Sequence, residues 1–239
     1  MKLIENIIEP KKVIVLWQAI DKNTNKAGGA RFVVGEISNE GVASKLTYYD
    51  NADTAKAVEL GFKGLTTYPF APNKVWNGTV ADVLATRLPP NTRADYADFL
   101  RAYRISPQAA EKISALGLVA NTTGNLVGDG FSFLPSFEGL QPPFEFAFDI
   151  AGFRHHGLKA YPNLTDLQGV EVSFADDAEN EYDSEAMWVD YQNQHLGHVP
   201  KGLNTALRAL LPAHKIVASI ERLNGTQERP NILVFVEVK

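Results

Sequence analysis

The chain has 239 residues, no cysteine and a formal net charge of −5. That length allows one large core or two modest ones, and the lack of thiols excludes disulfides and thiolate chemistry. A protein that coats nucleic acid without selectivity needs a surplus of Lys and Arg, so the negative charge excludes that class.

In chain order, Met1-Lys2-Leu3-Ile4-Glu5-Asn6 has no basic region followed by a long apolar run, so no secretory signal is expected. Val13 to Trp17 is too short to cross a bilayer and reads as a buried strand, and the expected location is cytoplasmic. Ala30 to Gly35 and Lys45 to Tyr49 read as further strands, and Asp53 to Leu60 as a short helix closed by Gly61. Val80, Val83, Leu84, Arg87 and Leu88 recur at helical spacing until Pro89-Pro90. Tyr96, Phe99, Leu100 and Tyr103 mark a second helix, with Asn91 or Thr92 expected as its cap. Ser106-Pro107 opens a third, expected to close at Gly117. The glycines of Gly124 to Gly130 lack the lysine and hydroxyl of a phosphate-binding loop and predict a turn into a strand at Phe131 to Leu134.

Pro135 to Pro143 reads as a linker, dividing the chain into domains 1–143 and 144–239. Beyond it, Phe144 to Ile150 and Val170 to Phe174 are expected strands. Ala186 to Tyr191 and His195 to Val199 flank the turn Gln192-Asn193-Gln194. Leu203, Leu207, Leu210 and Leu211 share one helical face, and Ile216 to Arg222 and Ile232 to Val238 alternate around Asn224-Gly225, the expected hairpin turn. The predicted class is α+β: a mixed β/helical domain, then a small β-barrel with one inserted helix.

Functional chemistry concentrates in that second domain. Arg154 offers a charged donor fork for phosphate or carboxylate, Tyr182 a flat face for a base, and His155 a weaker one. Asp183 repels phosphate but accepts a hydroxyl hydrogen, while Asn180, His198 and Lys201 add donors. A pocket of this kind suits the hydroxyl end of a strand. From Ile150 onward there are 8 Lys+Arg and 12 Asp+Glu, so if this half binds a nucleic acid it must use a local pocket rather than a basic face.

The segments Gly152-Phe153-Arg154-His155-His156, Asn180-Glu181-Tyr182-Asp183 and Gly197-His198-Val199-Pro200-Lys201 resemble, in order and spacing, the HIRAN domain. The resemblance covers about Phe144 to Lys239. It implies an OB/SH3-like barrel that captures the 3′ end of single-stranded DNA without catalysis. It further implies that aromatics stack on terminal bases, Arg154 and Asp183 hold the hydroxyl, and Asn180, His198 and Lys201 contact the backbone. His155 stands where the family usually has an aromatic, and Glu179 and Glu185 where amides are common, which weakens phosphate contact by repulsion.

The region before the linker, with its short β elements and its Leu126-Val127-Gly128-Asp129-Gly130-Phe131 turn, is similar to the N-terminal subdomain of HipA-type serine/threonine kinases. This similarity implies an antitoxin-like regulatory subunit that binds such a kinase in a toxin-antitoxin system.

No cofactor or catalytic residue is expected, since no Gly-x-Ser-x-Gly segment and no kinase signature is present. The pairs His155-His156 and His195/His198 are expected to point to opposite strand faces, so no metal site is expected either.

Overall fold

The computed structural model of the chain describes residues 2–21, 26–39, 43–226 and 229–239. Two compact units emerge. One comprises Ile8–Tyr103 and Ala110–Leu140, the other Met1–Ile7, Arg104–Ala109 and Gln141–Lys239.

The first of these is built on a sheet of β1 (Lys12–Asp21), β2 (Lys26–Asn39), β3 (Ser44–Tyr48), β4 (Val75–Gly78) and β5 (Phe131–Pro135), in the order β4-β3-β2-β1-β5. Period-two alternation turns Val13, Val15 and Trp17 inward, against Phe32 and Val34 of β2 and Phe131 and Phe133 of β5. Helix α1 (Ala52–Glu59) starts where the Asn51 side chain accepts from Thr54 N–H, and Gly61 follows its end at a positive φ. Helices α2 (Val80–Ala85) and α3 (Tyr96–Ala102) fall where the apolar spacing predicts.

Two helix boundaries differ from expectation. The cap of α3 is Asp95, whose side chain makes no capping hydrogen bond, rather than Asn91 or Thr92. The helix expected from Ser106 to Gly117 is two helices, α4 (Pro107–Ala110) and α5 (Ala115–Asn121). Ser106 caps the first through Ala109 N–H, but Ser114 starts the second by accepting from Gly117 N–H at 3.0 Å. Gly117 therefore lies inside a helix because a competing cap precedes it.

The other unit carries a six-stranded sheet of β6 (Phe144–Asp149), β7 (Glu171–Asp176), β8 (Met187–Tyr191), β9 (Gln194–His198), β10 (Ile216–Thr226) and β11 (Arg229–Val238), in the order β6-β11-β10-β7-β8-β9. Phe144, Phe146 and Phe148 face its core from β6, each burial stabilising by roughly 1.5–3 kcal/mol. Just past β6, Ala151 exchanges main-chain hydrogen bonds of 2.9 and 2.8 Å with His198 on β9, bringing the two edges of the sheet together. A short helix α6 (Gly157–Ala160) follows, and α7 (Asn204–Leu210), with Leu207 and Leu210 buried, is the inserted helix between β9 and β10. The fold is thus α+β with a sheet-and-helix N-terminal region and a curled C-terminal sheet.

Asn224-Gly225 is not the hairpin turn. Both residues continue β10, paired with Asn231 and Pro230, and Thr226 beyond them pairs with Arg229. No helix among the described residues is long and apolar enough to cross a membrane.

Candidate nucleic-acid interface

The segment joining β7 to β8 holds three of the expected site residues. Asn180 Oδ1 accepts the main-chain N–H groups of Tyr182 and Asp183 at 3.0 and 2.9 Å, an Asx-type turn. Tyr182 is thereby held out from the surface with 88% of it exposed, where a large aromatic gains nothing from the core. Asp183 accepts from Glu185 N–H through Oδ1 and from the buried Asn204 amide through Oδ2 at 2.9 Å. Its carboxylate is fixed in place, and its remaining lone pairs can still accept a hydroxyl hydrogen.

Behind this turn lies Asp177, 8% exposed, which the sequence reading did not single out. Its Oδ2 accepts both Asn180 Nδ2 and His198 Nε2, each at 2.8 Å. Burial alone would raise its pKa, but those hydrogen bonds and the neighbouring imidazole outweigh it and hold the carboxyl below its usual range. Because a carboxylate only accepts, the His198 Nε2–H is the donor in this bond. Asp177 thus orders the Asn180 turn and the His198 ring from one buried point.

His198 also belongs to an aromatic cluster around Trp188, another residue missed from sequence. The His198 and His195 rings stack on the indole with centroids 3.8 and 4.2 Å away, and His156 meets it edge-on at 4.9 Å. His195 Nδ1 is held by Asp190 at 2.7 Å. Burial, then the nearby His198, His155 and His195, push the His156 pKa down, so this ring is neutral at neutral pH.

The expectation that His195 and His198 face opposite ways is overturned by a bulge. Trp188 pairs with His198 and Val189 with Gly197, but Asp190 pairs with His195, so Leu196 is an extra residue and both histidines share the Trp188 face. Gly197 sits at φ +149, and a Cβ there would come within 2.5 Å of the Ala151 carbonyl oxygen. Only glycine lets the bulged strand approach the Ala151 segment this closely. His155 and His156 do separate, His155 being exposed beside Arg154.

Arg154 and His155 form a pair of their own, with Arg154 Nη2 3.2 Å from His155 Nε2. Among the described residues the Arg154 guanidinium meets no carboxylate, so it is open to an anion. The loop carrying the pair is anchored by buried Phe153 and tied to His198 through Ala151. Lys201 lies partly buried just beyond β9. Glu185, expected to repel phosphate, is paired with Arg208, which also holds Asp176 at 2.8 Å. Asn180, Tyr182, Asp183 and His198 are therefore one hydrogen-bonded assembly, joined to the Arg154 loop through main chain.

Residues 143–239 match the family model of the HIRAN domain, and no family is assigned to the N-terminal part. No curated protein sequence matches the chain. Among solved structures it is similar to the HIRAN domain of human HLTF, at 19% identity over 39% of this chain and 74% of that one, with a TM-score of 0.31. It is similar also to a protein from Lactobacillus plantarum, at 19% identity over 40% of this chain and 98% of that one, again with a TM-score of 0.31.

Proposed function

We propose that the HIRAN domain of residues 143–239 makes this chain a non-enzymatic, cytoplasmic binder of single-stranded DNA 3′ ends. The observation that carries the reading is Tyr182, an aromatic ring almost wholly in solvent on a turn rigidified by Asn180 and Asp177. A ring held this way pays little entropy when a base stacks on it. Asp183, fixed beside it, is an acceptor for a terminal hydroxyl, and Arg154 is a cation that meets no carboxylate among the described residues.

Tyr182→Ala is expected to weaken binding of a strand ending in a 3′ hydroxyl by about 1–3 kcal/mol, measured by fluorescence anisotropy, with an unchanged thermal midpoint. Equal affinity of variant and wild type removes the stacking role.

A second reading has an observation of its own. Leu126 and Val127, in the segment similar to HipA-type kinases, expose 47% and 88% of their surfaces. Exposed apolar side chains of this kind suit a protein partner. Recovery of a HipA-type kinase with the tagged chain, lost in Val127→Asp, supports a regulatory subunit; recovery unaffected by that change argues against this surface.

A further inference from the structure

We propose that His195, backed by Trp188, is a second stacking platform that takes a base upstream of the terminal nucleotide. The inference rests on the reading that this domain binds a strand end, and extends the site across the β8–β9 face.

Three observations carry it. The His195 side chain is 53% exposed, yet its ring is not loose: it stacks on Trp188 at an interplanar angle of 15° and is held by Asp190. A flat ring with its orientation set from behind is ready to receive another flat ring. The platform is also continuous with the first site, because Trp188 stacks in turn on His198, whose other partner is the Asp177 that organises Asn180 and Tyr182. Finally, the bulge at Leu196 and the glycine that permits it place both imidazoles on the side of the sheet that carries Trp188, where each stacks on the indole. An unbulged strand would turn one of them away.

Charge favours a base over a phosphate as the ligand. Asp190 and Asp177 lie behind the histidines, and acids outnumber basic residues from Ile150 onward by four. Acids repel backbone phosphate, whereas a nucleobase face is uncharged and stacks on an aromatic whatever its sequence. A domain with this charge gains affinity more readily from a second base than from further phosphate contacts.

The test uses the full chain and a single strand ending in a 3′ hydroxyl, with one abasic site moved stepwise inward from the end. In wild type, the abasic site should weaken binding by about ten-fold at the terminal position and again at one inner position. In His195→Ala the inner penalty should vanish while the terminal one remains, and His195→Phe should restore it. The thermal midpoints of both variants, read alongside, separate loss of stacking from loss of fold. Identical penalty profiles in wild type and His195→Ala overturn the platform and leave the end-binding reading intact. If wild type binds no such strand, the end-binding reading falls and the platform with it.

Discussion

Replacing Phe153 with alanine should destabilise the chain by about 3–5 kcal/mol, the cost of emptying a large aromatic site in a close-packed core. Phe153 is 2% exposed, and its ring occupies the space above Gly157, where an added Cβ would come within 2.4 Å of it. Its carbonyl also accepts from His156 and Leu158 N–H, so the ring anchors the loop that presents Arg154 and His155. Urea unfolding should show a lower midpoint, and DNA binding should fall even where the protein remains folded. A variant as stable as wild type would mean that the loop is held by something other than this ring.

Asp177→Ala should have the next largest effect, about 3 kcal/mol from two hydrogen bonds to a charged, buried acceptor. The loss leaves Asn180 Nδ2 and His198 Nε2 without their partner, so the Tyr182 turn and the His198 ring lose their common anchor together. The pH dependence follows from the depressed folded pKa. A carboxyl that ionises more readily folded than unfolded adds stability that is fully present above the unfolded value, near pH 4, and is lost as pH falls through the lower folded value. The difference in unfolding free energy between wild type and Asp177→Ala should therefore be constant at neutral pH and shrink on acidification below about pH 4. A difference that grows on acidification would contradict this placement of the charge.

The strands of both units were legible for different reasons: Val13 to Trp17 is an unbroken apolar run, whereas Phe144, Phe146 and Phe148 alternate along β6. Local capping chemistry was harder to read. Ser114 competes with the signal at Ser106 and splits one expected helix into two, and the Asn224-Gly225 pair looks like a turn but continues a strand. Within the candidate site, Asn180, Tyr182 and Asp183 were accessible as a short linear segment. Asp177 and Trp188 were not, because their roles depend on pairing across strands. A two-residue turn at Gln192-Asn193 with regular pairing would place Gly197 opposite Trp188; the extra residue at Leu196 puts His198 there instead. One bulge thus decides which histidines meet the indole, and nothing in the spacing of the histidines announces it. The sum of charges is legible in the sequence but its distribution is not, since Arg208 pairs with two of the acids, Asp176 and Glu185.

The central claim is that a fixed carboxylate at Asp183, beside an exposed Tyr182, receives a hydroxyl end. Its most direct test compares strands identical except for a 3′ hydroxyl or a 3′ phosphate, bound to the full chain at one salt concentration because phosphate contacts depend on it. A terminal phosphate brings negative charge against Asp183, so the hydroxyl-ended strand should bind about ten-fold more tightly or better. Equal binding of the two strands would contradict the account.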